Sequence, residues 1–359
     1  MPAAQIRLQQ ANQLLYVAEW SLALLTCDCW SGGKAVMTRF LVSETAESYQ
    51  VGANLKLIEA LACVSIFLTA LLLSTGSNFA ADSTVIAPGA HLEKLAEGYA
   101  HTEGPAADSQ GNVYFTDYGN NLIVKWHAAD GKLSDWLKPS GSAIGISFDH
   151  VGNLIAAASE KGELWSIAPD KTVTVLLAAF DGKVFNGPDD VWIRPDGGIY
   201  FTDPDFHSTH DQKTRVEGQN VYFMTPDRKT VRRVTMDIFK PSGITGTGDG
   251  KVLYVADYGA AQTYAYDINP NGDLTNKRLF CNLGSEGMTI DNEGNVYLAQ
   301  SGGTVFGVTV FDKAGKKIEY IELPEMPTNL AFGGKDKDML FITAAGSVYG
   351  LKMRVNGLH

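Results

Sequence analysis

The sequence predicts an all-β fold: a six-bladed β-propeller behind an N-terminal signal-like extension. Three observations predict it. A motif of two short strands around a polar turn recurs through residues 85–359, the turn glycines repeat at intervals of 40–50 residues, and no long helical-period segment competes after residue 100. Glycine is frequent, with 37 residues, and aromatic residues reach 10%, a mix that suits short strands joined by tight turns. A β-sandwich and a parallel β-helix are the competing all-β readings.

The first element is the extension. Ala60 to Leu73 is an uncharged apolar run (ALACVSIFLTALLL) of 14 residues, short of the roughly 20 that a membrane-spanning helix needs. Lys56 precedes it and small or polar residues follow (STGSNFAADS), which is the layout of an export signal with cleavage near Ala80 or Ala81. Residues 56–81 are therefore read as signal-like, and an exported protein without a stable membrane span in its mature form is expected. Glu59 and the distance from Met1 depart from that layout. A start at Met37 would shorten the distance, and a membrane anchor is the alternative. Residues 1–55 carry no usable motif and are expected to be poorly ordered. Cys27 and Cys29 form a CxC without a partner pair, and only Cys281 lies beyond Cys63, so neither a zinc site nor an internal disulfide of the main body is indicated. The net charge of −11 lacks the basic face of a phosphate-backbone binder, so no nucleic-acid partner is expected.

The blades follow in order. EGPAADSQGNVYFTD begins at Glu103, IGISFDHVGNLIAAA at Ile144, DDVWIRPDGGIYFTD at Asp189, SGITGTGDGKVLYVAD at Ser242, EGMTIDNEGNVYLAQ at Glu286 and NLAFGGKDKDMLFITA at Asn329. The turn glycines Gly111, Gly152, Gly197, Gly250 and Gly294 are 41, 45, 53 and 44 residues apart, and Asp338 stands another 44 on. Trp126, Trp136, Trp165 and Trp192 read as blade core. Cys281 reads as an inert buried thiol.

The repeat also locates a site. Corresponding positions of the blades form a ring around the central channel. Counting eight residues back from each turn glycine gives Glu103, Ile144, Asp189, Ser242 and Glu286. Asn329 is the sixth if one extra loop residue is allowed. Core β positions are normally apolar, yet five of these six carry oxygen and three are carboxylates. Three carboxylates facing one channel repel unless a cation lies between them. An all-oxygen set without His or Cys suits Ca²⁺ best, then Mg²⁺ or Mn²⁺, and Zn²⁺ least. The competing reading has these residues starting turns in water.

At these residues the chain resembles the senescence-marker-protein/gluconolactonase family of propellers, through TEGPAADSQGNVYFTD, FNGPDDVWIRPDGGIYFTDP, KPSGITGTGDGKVLYVAD, EGMTIDNEGNVYLA and PTNLAFGGKDKDMLFITA, over about Leu92 to Met353. The resemblance implies a propeller with one divalent cation in its channel, usually calcium, that hydrolyses lactones and in some members phosphotriester-like compounds. It implies cation ligands at Glu103, Asp189, Ser242 and Glu286. Glu103 keeps the family's residue, whereas Asp189 and Ser242 stand where the family has asparagines. Glu286 stands where it has an aspartate that binds the metal and serves as base or nucleophile.

The implied reaction is opening of a sugar lactone, with Glu286 as general base for a water or as direct nucleophile. Asn186 and Asp190 of the NGPDD loop are candidates for substrate hydroxyls, although both also favour turns. His101, two residues before Glu103, is a candidate for the pocket wall. His207 and His210 share a loop with loose HxxH spacing. No GxSxG, GxGxxG or P-loop pattern offers another chemistry. A non-catalytic, calcium-stabilised propeller acting as a binding module is the alternative.

A chain beginning at Asp82 is expected to fold without residues 1–81. Far-UV circular dichroism of the purified fragment checks this, and loss of the β signal would show that the extension supplies part of the core.

Overall fold

The computed structural model describes residues 83–206, 208, 210–300 and 306–358, together with the backbone of 30–31 and 34–35. The chain divides into two units, Met1–Asn78 and Phe79–His359. In the first, β1 (Trp30–Ser31) pairs antiparallel with β2 (Lys34–Ala35). The signal-like run at 56–81 lies outside the described residues, as does His207. Among the described residues no helix is long and apolar enough to cross a membrane.

The second unit is a six-bladed propeller of four-stranded antiparallel sheets. It opens with β3 (Glu93–Glu97). Blade one is β4 (Thr102–Ala107), β5 (Val113–Asp117), β6 (Leu122–Trp126) and β7 (Leu133–Leu137). Blade two is β8 (Ala143–Phe148), β9 (Leu154–Ala158), β10 (Glu163–Ile167) and β11 (Val173–Leu177). Blade three is β12 (Val191–Ile193), β13 (Ile199–Asp203), β14 (Asn220–Met224) and β15 (Val231–Thr235). Blade four is β16 (Pro241–Gly246), β17 (Val252–Asp257), β18 (Gln262–Ile268) and β19 (Leu274–Cys281). Blade five is β20 (Met288–Ile290), β21 (Val296–Gln300), β22 (Phe306–Phe311) and β23 (Lys317–Leu323). Blade six is β24 (Pro327–Gly333), β25 (Met339–Ala344), β26 (Ser347–Lys352) and, outermost, β3, whose Ala96 faces Val348. The first strand of the unit thus completes the last blade, which joins the two ends of the ring and covers an otherwise open edge.

Strand burial follows from blade stacking. A second strand such as β5, β9 or β13 is buried at every residue because both faces of its sheet meet a neighbouring blade. This is why VYFTD, LIAAA and IYFTD lack the apolar–polar alternation of a one-sided sheet. Outer strands such as β7 and β11 are largely exposed. Six apolar clusters fill the six blade interfaces; Tyr114 and Ile123 of blade one, for example, pack on Leu154, Ala156 and Trp165 of blade two. Trp126, Trp165 and Trp192 are buried, Trp136 packs against the first interface, and Cys281 is a buried free thiol whose pKa burial raises.

The polar turns are aspartate-nucleated. Asp108 Oδ1 accepts the Gln110 and Asn112 amides at 2.9 and 3.0 Å, and Asp149 and Asp291 repeat the device. Gly111 takes φ +81° in such a turn, where a side chain would be strained.

The sixth blade corrects the repeat count. Its left-handed turn residues are Gly334 and Lys337, at φ 80° and 55°, not Asp338. Strand pairing and facing put Thr328 at the ring place and Asn329 at the place that Asp190 holds in blade three. Asn329 N donates to Thr343 Oγ1 and its Oδ1 accepts the Leu330 amide; Asp190 N donates to Thr202 Oγ1 and its Oδ1 accepts the Val191 amide. The turn is longer here, so a fixed count back from it lands one residue late.

Inner strands approach closely. A Cβ on Gly104 would lie 2.2 Å from the Ile144 carbonyl oxygen of the next blade. Gly104→Ala is expected to destabilise the fold by about 1–3 kcal/mol, read as a lower midpoint in thermal unfolding.

Candidate active site

One cavity of about 470 Å³ sits at the end of the channel where the inner strands begin. All the ring residues obtained by counting back from the turn glycines line it: Glu103, Ile144, Asp189, Ser242 and Glu286, and Asn329 reaches it from its neighbouring place. His101 and Asn186 line it too. The strands position these side chains partly through register irregularities, between Glu103 and Ala106, Ala143 and Ile146, and Pro241 and Ile244. Such bulges re-aim side chains at the ends of sheets.

The ring members interlock. Ser242 Oγ lies 2.7 Å from Asp189 Oδ2, to which it donates, and 3.1 Å from the Glu286 backbone carbonyl. Glu103 Oε2 accepts the Gly104 amide at 3.2 Å, and its Oε1 lies 3.6 Å from His101 Nε2. Hydrogen bonding to Glu103 raises the His101 pKa, against its partial burial. Burial first, then the negative charges of Glu103, Asp190 and Glu286, push the Asp189 carboxyl well above the usual range, while Ser242 opposes the shift.

Two expected substrate contacts are placed differently. Asp190 does not line this cavity. It lies buried beneath the ring, where its carboxylate accepts the Val191 and Ile244 amides at 3.0 and 3.2 Å and interacts with Asn329, and burial pushes its pKa up to about 7. Just before β12, Asp189 and Asp190 both face Thr202, the Asp189 amide donating to its carbonyl and the Asp190 amide to its hydroxyl, and at this irregularity the side chains part, Asp189 into the cavity and Asp190 beneath it. Asn186 reaches the cavity, but its side chain is engaged: Nδ2 donates to the Gly218 carbonyl and Asp203, and Oδ1 accepts from Arg215. These bonds tie the NGPDD loop to β13 and to the segment before β14. Among the described residues, His210 Nε2 is buried without a hydrogen-bond partner and is not part of the cavity lining.

The counting also left residues unfound. Tyr118, Ser159 and Pro204 line the cavity, each seven residues after its turn glycine, so the same repeat carried their signal. Glu160 accepts from Ser142 Oγ at 2.8 Å. Phe206 and Met326, from blade connections, had no repeat signal. Phe206 is held by an edge contact with Tyr258 (5.5 Å between ring centres) and by Lys240 Nζ 4.6 Å from its own ring centre.

The donor set fits a hard divalent cation in kind: carboxylates of Glu103, Asp189 and Glu286, the Ser242 hydroxyl, and no soft ligand. It does not gather at one point. Among the described residues no three His, Cys, Asp or Glu side chains are close enough to hold one ion together. Glu103, Asp189 and Glu286 share one cavity without forming such a three-residue cluster. Like charges repel, and Glu103 and Asp189 each lean on a donor of their own.

Residues 101–346 match the model of the SMP-30/gluconolactonase/LRE-like region. A gluconolactonase of Zymomonas mobilis is 28% identical over 299 residues, covering 74% of this chain and 82% of the relative. The solved structure of a gluconolactonase from Xanthomonas campestris superposes with TM-score 0.68 at 24% identity, over 75% of this chain and 91% of that one. That of a calcium-binding protein, regucalcin, from Agrobacterium tumefaciens gives 0.62 at 20%, over 76% and 95%. At these identities the two structures support the fold alone.

Ser242→Ala would leave the buried Asp189 carboxyl without its donor. A loss of about 1–3 kcal/mol of stability is expected, measured by denaturant unfolding in the presence of EDTA.

Proposed function

The chain belongs to the SMP-30/gluconolactonase/LRE-like family, and from that membership we propose that it is a lactonase, a hydrolase that opens a small lactone ring with a divalent cation, Ca²⁺ by preference, as cofactor. One observation carries the reading: side chains picked out only by their place in the repeat, Glu103, Asp189, Ser242 and Glu286, line a single cavity. The Zymomonas relative, named a gluconolactonase and covered over most of its length, supports the substrate class.

Glu103, Asp189, Ser242 and Glu286 would hold the cation. When bound, it supplies polarisation of the lactone carbonyl and compensation of the negative charge that develops on its oxygen. The chain's own residues do the rest. Glu286 accepts a proton from the attacking water as the new C–O bond forms at the acyl carbon. The ring C–O bond then breaks, and the departing ring oxygen takes a proton back, leaving a hydroxy acid. His101, beside Glu103, completes the polar wall. Ile144, Phe206 and Met326 supply apolar surface that orients the ring and limits water, and the cavity volume suits a small ring of this kind. Compared with the family pattern, Asp189 adds negative charge, Ser242 has a shorter reach, and Glu286 has one more methylene. These changes favour cation binding and alter the reach of the base.

The signal-like run at 56–81 supports export of the mature hydrolase as part of this proposal.

Glu286→Gln keeps most of the side-chain volume and one oxygen but removes basicity. Turnover of a lactone panel is expected to fall by ~10²–10⁴, with a smaller loss of cation affinity. Glu286→Asp restores the family residue and should raise turnover if the longer arm misplaces the base; a fall would show a pocket adapted to glutamate. Full activity of Glu286→Gln, with cation bound, would remove this residue as base and nucleophile alike.

A further inference from the structure

We propose that Asp117, Asp203, Asp257 and Gln300 are positioning residues that set the four side chains of the cation site. The inference rests on the cation reading given above. All four occupy one place in the repeat, the last residue of a blade's second strand, β5, β13, β17 and β21. In three blades a carboxylate there accepts the backbone N–H groups of the residues three and two before the ring residue. Asp117 takes Ala100 and His101, both at 3.1 Å, ahead of Glu103. Asp203 takes Asn186 at 3.1 Å and Gly187 at 2.9 Å, ahead of Asp189. Asp257 takes Phe239 at 2.8 Å and Lys240 at 3.0 Å, ahead of Ser242. In the fifth blade the polarity is reversed: Gln300 Nε2 donates to the Gly284 carbonyl at 2.8 Å, two residues ahead of Glu286.

The two remaining blades supply the contrast. Their ring residues, Ile144 and Thr328, are not cation-site residues, and the same place holds alanine: Ala158 and Ala344. A device needed to build a blade would occur in all six. At the strand-end place it occurs in the four blades that supply the site and in neither of the others; in blade two a different residue, Asn121 in the connection after β5, takes the Ser140 and Ser142 amides on its Oδ1 at 2.7 and 2.9 Å. Stability alone does not ask for it, because Asp117, Asp203 and Asp257 are buried, and a buried carboxylate is costly unless its acceptors are filled. The alanines show that the fold closes without one. The function that remains is geometric. Holding the two amides before the ring residue fixes where that side chain leaves the strand, and groups behind a metal ligand act in this way on affinity.

The test is calorimetric titration of CaCl₂, MgCl₂ and MnCl₂ into the full chain, with thermal unfolding in EDTA measured alongside. The proteins are the wild type, Asp117→Ala and Asp257→Ala, which install the residue that blades two and six carry at this place, Gln300→Met and, as control, Ser347→Ala. Ser347 is a buried blade-six residue whose hydroxyl donates to Glu325 and to none of the ring residues, and its carbonyl, which accepts from Thr102, is kept in the variant. The three positioning variants should bind cation 10–100-fold more weakly than wild type. The control should lose stability with unchanged affinity. Gln300 is only partly buried, so Gln300→Met keeps the test open if an aspartate variant does not fold. Affinities within threefold of wild type in the folded variants overturn this inference and leave the cation reading intact. A wild type that binds none of the three cations overturns both.

Discussion

The inner strands of six blades must meet around one axis, and the room there admits little more than backbone. In blades one, two, four and five the ring residue is followed by glycine. Where the approach is tightest, a Cβ on Gly287 would fall 2.0 Å from Asn329 Cγ. In blades three and six the corresponding residues are Asp190 and Asn329, which interact with each other beneath the ring. The close approach goes with the preceding residue of five inner strands facing one end of the channel, and it closes the floor under the cavity with a polar pair that also bonds backbone amides. Everything chemical about the molecule stands on that floor.

Above the floor, electrostatics govern the site. Four carboxylates, those of Glu103, Asp189, Glu286 and Glu160, face one cavity, and among the described residues of its lining His101 is the one side chain that can carry positive charge. Burial and mutual repulsion lift the Asp189 pKa, and hydrogen bonding to Glu103 lifts that of His101. Burial and crowding of negative charge therefore work against each other here, and a divalent cation at the proposed site would offset that charge. The polar bonds made by Asp117, Asp203, Asp257 and Gln300 hold the backbone just ahead of these side chains, as the proposed cation site would require of carboxylates that repel one another.

The fold was legible because a propeller writes its symmetry into the chain. Turn glycines with aspartate-nucleated loops recur at near-constant spacing, and a constant count back from them reached residues of five blades that share a cavity. The count slipped by one in blade six, where the turn is longer and Lys337 replaces glycine at a left-handed position. The aspartate ending VYFTD, IYFTD and VLYVAD was equally visible, but a strand-end aspartate reads as a turn former until its acceptors are known. Phe206, Met326 and Glu160 were hidden for a different reason: they come from connections, whose lengths vary between blades, so no count reaches them.

The sequence by itself determined the blade number, the class of the fold and the five ring positions whose side chains line one cavity, because each depends only on spacing along the chain and on residue type. Tertiary structure alone decided the rest. It placed Asp190 under the ring instead of in the cavity, where its carboxylate accepts the Val191 and Ile244 amides of two different blades. It engaged the Asn186 side chain with Asp203, Gly218 and Arg215, partners 17 to 32 residues distant. It recruited β3 to complete the last blade, and it kept the three carboxylates in one cavity without bringing them to one point. Those outcomes depend on where side chains from separate blades come to rest against each other, a balance of repulsion, burial and local donors that spacing along the chain does not encode.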